Sequence, residues 1–162
     1  MYLNKVTYRE DVKKDDIKSV KEITTSSGYF YDEEIEIAIE LVEERLAKGI
    51  KSGYYYLFAD VDGKTVGYSC YGPIACTKHS YDLFWIAVSD EYRGQKMGTE
   101  LLKLTEDKIK ELGGKRIYVE TSSIPKYEST RSFYENRGYD EEAIIKDFYG
   151  DDDSKFIYVK VL

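Results

Sequence analysis

Alternating and helical patterns of hydrophobic residues take turns along this chain. Lys5 to Arg9 alternates and predicts a first strand. Asp15 and Asp16 open a helix through Ile17, Val20 and Ile23, and Thr24 to Phe30 reads as a loop. Asp32 precedes a longer helix in which Ile35, Ala38, Ile39, Val42 and Leu46 share one face, with Gly49 as its stop. Tyr54 to Val61 and Thr65 to Tyr71 are strands, joined by Asp62-Gly63, a pair suited to a tight hairpin. In the next strand, Tyr81 to Val88, Phe84, Ile86 and Val88 lie on one face and Leu83, Trp85 and Ala87 on the other. Both faces are apolar, which predicts a central strand covered on two sides. A helix through Leu101, Leu102, Leu104, Ile109 and Leu112 ends at Gly113-Gly114. Lys115 to Glu120 is a strand, Tyr127 to Asn136 a helix stopped at Gly138, and the last two strands lie near Ala143 to Phe148 and Phe156 to Val161. The acidic run Asp151 to Asp153 between them reads as a solvated turn. The resulting order is β-α-α-β-β-β-α-β-α-β-β. Periodicity alone supports a mixed α/β class and goes no further.

The 162 residues suffice for one domain with a real core, and 42% hydrophobic with 34% charged residues suits a soluble globular protein. No apolar run approaches the roughly 20 residues that cross a bilayer, so no membrane partner is expected. Met1 to Lys5 has no apolar stretch typical of a secretion signal. Cys70 and Cys76 show no metal-ligand spacing and suit a reducing cytoplasm, where packing is their expected role. His79 is the only histidine, and no metal is expected. The formal net charge of −7 argues against a nucleic-acid partner. It would steer a cationic acceptor, though solubility explains it equally well.

The strand ending at Val88 changes the picture. It runs into Ser89-Asp90-Glu91-Tyr92-Arg93-Gly94-Gln95-Lys96-Met97-Gly98-Thr99 and then into a helix. The first N–H groups of a helix have no intrahelical partner, and the helix dipole favours negative charge there. Gly94 and Gly98 would let a phosphate approach the backbone, and Arg93 adds a fixed charge with a planar fork of donors. A tight β-α turn that needs glycine for its geometry is the plainer explanation of the same residues.

Arg93, then Lys96 and Gly98 at the following spacing, resembles the acyl-CoA signature of the GNAT superfamily of N-acetyltransferases, with Lys96 where the family usually has its first glycine. Phe133-Tyr134-Glu135-Asn136-Arg137-Gly138-Tyr139 is similar to a second block of that family, about 40 residues on. The resemblance covers nearly the whole chain, as one domain over 1–162. It implies an α+β fold: a mixed, mainly antiparallel sheet of about seven strands flanked by about four helices, with a splayed parallel strand pair forming the acyl-CoA cleft. Its donor is acetyl-CoA. Backbone groups of Ile86, Ala87 and Val88 would bond the pantetheine arm. Those of Gly94, Gln95, Lys96, Met97, Gly98 and Thr99, with Arg93, would hold the pyrophosphate. Phe133, Thr130 and Tyr127 would line the cofactor; Tyr127 stands where many members have an Asn, and Thr130 at a usual Ala. Tyr134 would lie near the CoA sulfur and protonate the leaving thiolate. Asp82 and Glu120 are the two candidates for the base that an ammonium of pKa about 10 requires.

The acceptor is expected to be a primary amine of a small molecule or peptide, attacking the thioester directly. Tyr29, Phe30 and Tyr31 would offer it an aromatic wall, and Asp32, Glu33 and Asp151 to Asp153 negative charge. A capped helix start and a solvated turn account for the same residues. Two rivals remain: an acyl-CoA-binding sensor of the same fold without turnover, and a nucleotide-binding protein using the same anion site. Exposed edge strands near the C-terminus would support a homodimer.

Overall fold

A computed structural model describes residues 5–162. Seven strands and four α-helices follow one another in the expected order: β1 (Val6–Arg9), α1 (Asp16–Ser27), α2 (Asp32–Lys48), β2 (Tyr55–Val61), β3 (Lys64–Pro73), β4 (Ser80–Val88), α3 (Met97–Glu111), β5 (Arg116–Ser122), α4 (Glu128–Glu135), β6 (Asp140–Gly150) and β7 (Asp153–Val161). The strands form one sheet in the order β1-β2-β3-β4-β5-β7-β6. It is mostly antiparallel with one parallel pair, β4 and β5. As the two apolar faces of β4 predict, that strand is fourth of the seven. The chain divides into two compact units, Met1–Gly72 with Leu83–Lys108, and Pro73–Asp82 with Ile109–Leu162.

In the first unit, β1 to β3 form an antiparallel meander. Asp62 (φ 51°) and Gly63 (φ 79°) both take the left-handed conformation that a two-residue hairpin demands, as Asp-Gly predicts. Val20 and Ile23 of α1 and Ala38 and Val42 of α2 pack on Tyr56, Phe58, Tyr68, Cys70 and Ala87. The Tyr56, Phe58 and Tyr68 rings are stacked, with centroids 5.4 to 6.3 Å apart.

Helix α1 is longer than its apolar pattern suggests, because Thr24 to Ser27 are helical rather than loop. Their hydroxyls turn back onto the helix: Thr24 Oγ1 donates to the Val20 carbonyl (2.7 Å), Ser26 Oγ to Ile23 (3.1 Å) and Ser27 Oγ to Thr24 (2.8 Å). Gly28, at φ 71°, then ends the helix.

In the second unit, β4 pairs with β5 in parallel from Ser80↔Arg116 to Asp82↔Tyr118. β5 pairs with β7 along its whole length, and β6 with β7. Ile117, Val119, Tyr134, Tyr139, Tyr158 and Val159 are buried. Gly114 makes a close approach: a Cβ there would meet Ile109 Cγ2 at 2.3 Å and Tyr81 Cδ2 at 2.8 Å. β6 and β7 are longer than their apolar cores predict, so the acidic turn shrinks to Asp151 and Asp152. The two cysteines differ: Cys70 is buried in the first unit's core, whereas Cys76 is exposed and fills no packing role.

Candidate functional site

The glycine-rich turn belongs to the first unit. β4 carries Ile86, Ala87 and Val88 to it, Ala87 buried and its neighbours half-buried. A short 3-10 turn, Asp90–Tyr92, leads to Arg93. Gly94 (φ 73°) and Lys96 (φ 64°) are both left-handed. The Lys96 carbonyl accepts the Glu100 N–H (3.1 Å), so Lys96 caps the start of α3. The helix start is anchored by buried Met97 and Leu101. Gly67 on β3 makes room for them: a Cβ there would lie 3.2 Å from Leu101 Cδ1 and 3.4 Å from Met97 Sδ. Gly94, Gln95 and Lys96 are exposed and Gly98 and Thr99 half-buried. The backbone donors of a helix N-terminus thus follow directly on an exposed turn, which is the geometry of an anion cradle.

Arg93 has a second occupation. Its Nη2 donates to the Ser27 carbonyl at the end of α1, its Nη1 lies 3.3 Å from Asp90, and the guanidinium rests 4.9 Å from the Tyr29 ring centroid. These contacts brace the turn against the end of α1. Tyr29 therefore already faces a cation of its own chain, and Phe30 packs edge-on against Trp85 at 4.9 Å. Of the proposed aromatic wall, Tyr31 is the exposed member. Asp32 and Glu33 lie in the first turn of α2, where acidic side chains complement the helix dipole.

The ionisable candidates belong to the second unit. Asp82 of β4 is half-buried. Burial, and then the charge of Glu120, push its carboxyl up to about 6, with Lys155 opposing. The structure therefore brings Asp82 and Glu120 within electrostatic reach of each other. A third charged residue, not singled out from the sequence, acts on both. Lys155 of β7 is buried, with its Nζ 2.9 Å from Glu120 Oε2 and 3.7 Å from the Phe148 ring centroid. The alternation Lys155, Ile157, Val159 would have exposed it, had the last strand not been started at Phe156.

Tyr134 of α4 is buried, its ring 5.3 Å from those of Phe133 and Tyr139 and stacked 6.4 Å from that of Tyr158. Burial holds its phenol above the ordinary tyrosine range, so it stays protonated at neutral pH. Phe133 is half-buried with Arg137 over its ring at 3.8 Å. Thr130 is half-buried on the same helix, and half-buried Tyr127 immediately precedes it. Thr121 Oγ1, also unremarked in the sequence, is buried without a hydrogen-bond partner. The acidic turn caps itself: Asp147 accepts from the Asp152 N–H (3.1 Å), and Asp153 from the Ser122 hydroxyl. Among the described residues, no group of His, Cys, Asp and Glu could hold a metal ion, and no helix is long and apolar enough to cross a membrane.

The sequence profile of the Acetyltransferase (GNAT) family matches residues 18–139. No curated protein matches the chain. A crystal structure from Desulfovibrio desulfuricans, provisionally assigned as an acetyltransferase of the GNAT family, superposes with a TM-score of 0.96 at 39% identity, over 97% of this chain and 99% of that one. The ribosomal-protein-S18-alanine N-acetyltransferase of Escherichia coli shares the fold at TM-score 0.75 and 17% identity, over 97% and 94% of the two chains. The PaiA N-acetyltransferase of Thermoplasma acidophilum, solved with coenzyme A, does so at 0.73 and 23%, over 98% and 99%.

Proposed function

Because the chain belongs to the GNAT acetyltransferase family, we propose that it is an N-acetyltransferase moving an acetyl group from acetyl-CoA to a primary amine of a small molecule or peptide. The observation that carries the donor half is the turn after β4, where two left-handed residues, Gly94 and Lys96, lead into the first turn of α3. Such a turn offers successive backbone N–H groups to a pyrophosphate and asks little of side-chain identity, which is why a lysine at the family's glycine position is compatible with it. Ile86, Ala87 and Val88 hold the pantetheine arm, and the Val88 N–H stabilises the oxyanion of the tetrahedral intermediate. Phe133, Thr130 and Tyr127 line the donor, and the protonated Tyr134 phenol serves the departing thiolate.

The acceptor binds as an ammonium and must lose a proton before it attacks. Asp82 and Glu120 supply carboxylates for that purpose in the second unit. No covalent enzyme intermediate is involved. The whole chain acts as one acyltransferase domain. The free thiols Cys70 and Cys76 support a cytoplasmic protein. Exposed Ile144, Ile145, Phe148 and Tyr149 on edge strand β6 support a homodimer. The net negative charge of −7 works against a nucleic-acid partner.

Calorimetric titration with acetyl-CoA tests the donor half, and thiol release with a panel of primary amines tests turnover. Micromolar binding with amine-dependent thiol release is the expected result. Binding without turnover by any amine would convert the reading to a sensor, and no binding would remove the donor assignment. With an active amine found, Tyr134→Phe lowers turnover roughly 10²-fold if the phenol is the acid. An unchanged kcat would reduce it to a packing residue.

A further inference from the structure

Lysine is seldom buried unless it is paired, yet Lys155 is 9% exposed in the middle of a strand face. The strand registers show what shares that face. Glu120 on β5 is opposite Ile157 on β7, two residues from Lys155. Asp82 on β4 is in register with Tyr118, two residues before Glu120 on the same side of β5. One ammonium therefore serves two carboxylates, but it is committed to one of them. Its Nζ is 2.9 Å from Glu120 Oε2, and the Phe148 and Tyr149 rings lie 3.7 and 5.9 Å from it. The cluster is left one positive charge short.

We propose that Lys155 is a positioning residue that gives the two carboxylates separate duties: it holds Glu120 as an ionised counter-charge and leaves Asp82 to take the proton of a primary ammonium acceptor. The inference rests on the acetyltransferase reading and deepens its acceptor side. One missing positive charge matches a singly charged alkylammonium, which selects amines over alcohols or thiols. The proton moves from the ammonium nitrogen to an Asp82 Oδ. The freed lone pair attacks the thioester carbonyl carbon of acetyl-CoA, the C–N bond forms and the C–S bond breaks. The sulfur keeps the electron pair and is protonated as the nitrogen gives up its second proton, while Asp82 returns its proton to solvent. The products are the N-acetyl amine and the CoA thiol.

The other groups on this face do not take the same part. On β5 they are Tyr118 and exposed Arg116, and on β7 Asp153, whose Oδ1 accepts the Ser122 hydroxyl. Tyr149 comes from β6. The groups that set the proton affinity of Asp82, besides its burial, are Glu120 and Lys155.

Carbon-13 NMR of protein labelled at the Asp and Glu carboxyl carbons reads the pair without any substrate. Asp82 is expected to titrate near pH 6. Lys155→Met should raise the Asp82 midpoint by about one unit, and Lys155→Arg should restore it. Glu120→Gln should lower the Asp82 midpoint. The proposal is overturned if the folded Lys155→Met protein keeps the native midpoint. It is equally overturned if the signal near pH 6 vanishes in Glu120→Gln and survives in Asp82→Asn. Should Lys155→Met fail to fold, the Glu120→Gln and Asp82→Asn titrations decide alone. Acetyl-CoA titration of the same samples keeps the two questions apart. Absent binding would sink the acetyltransferase reading, whereas unmoved midpoints would sink the role of Lys155.

Discussion

Each of the two units contains one cation set among two carboxylates, and the two clusters behave differently. In the first unit Arg9 uses its fork fully. Nε donates to Asp60 Oδ2 at 2.7 Å, Nη1 and Nη2 to the two oxygens of Asp16 at 2.8 and 2.5 Å, and Nη2 also to Thr65 Oγ1 at 2.9 Å. The Lys13 N–H donates to Asp16 Oδ2 and the Thr65 hydroxyl to Asp60 Oδ1, each at 2.7 Å, so every oxygen of the two carboxylates accepts at least one hydrogen bond. Burial works against the charge of Arg9, but its hydrogen bonds to Asp16 and Asp60 outweigh that and stabilise the charged form. In the second unit the ammonium of Lys155 is a point charge that pairs with Glu120 and leaves Asp82 under-compensated. A complete set of partners makes a staple. An incomplete one leaves a group able to exchange a proton.

The contrast breaks most visibly in stability. Arg9→Met strands buried Asp16 and half-buried Asp60, and should cost about 3 kcal/mol in a denaturant titration. A loss near zero would mean that water replaces the guanidinium and that the first cluster is no staple. Asp82→Asn should do the opposite, lowering amine acetylation roughly 10²-fold while the protein remains as stable as before. Equal turnover would return Asp82 to the role of a strand-end carboxylate.

The pH dependence of stability sharpens the same difference. An unfolded aspartate titrates near 3.9, and folded Asp82 near 6. The folded state thus binds this proton more tightly. The stability that Asp82 contributes is complete below about pH 4 and is lost as pH rises through 6. Solvent screening at a half-buried site reduces the effect to about 1 kcal/mol. Subtracting the stability profile of Asp82→Asn from that of the native protein isolates it, and a flat difference between pH 4 and 6 would contradict the perturbed carboxyl. The smallest effect concerns Lys96, a cation outside both clusters. Lys96→Gly relieves a left-handed side chain but loosens the unfolded chain, for a net gain of about 0.5 kcal/mol. Donor affinity in the same variant separates strain from charge: tighter acetyl-CoA binding indicates strain, weaker binding a phosphate contact by the ammonium.

What could be read in the sequence follows the same division. The turn from Val88 to Thr99 is contiguous, so its glycines, its charge and its helix start stand side by side. The Asp62-Gly63 hairpin and the central place of β4 are local or periodic signals of the same kind. The hydroxyl-bonded end of α1 was not legible, because Thr24, Ser26 and Ser27 usually favour loops and only their back-bonding keeps them helical. The Lys155 cluster was half-visible. Asp82 and Glu120 stand out as carboxylates on strands, but the lysine that distinguishes them is 35 residues from Glu120 in the chain and meets it only through the β5–β7 register. Arg93 shows a milder version: its charge was evident, its bracing contact with Ser27, 66 positions away, was not.

The unequal cysteines give the protein a built-in count of its own folded state. Cys70 is sealed in the first unit's core, where burial pushes its thiol up to about 12, while Cys76 stands in the open. A thiol reagent near neutral pH should therefore titrate one group promptly and the second only as molecules open. The slow phase becomes a clock for opening of the aromatic core, and the fast phase a blank of one equivalent per chain against which released CoA is measured.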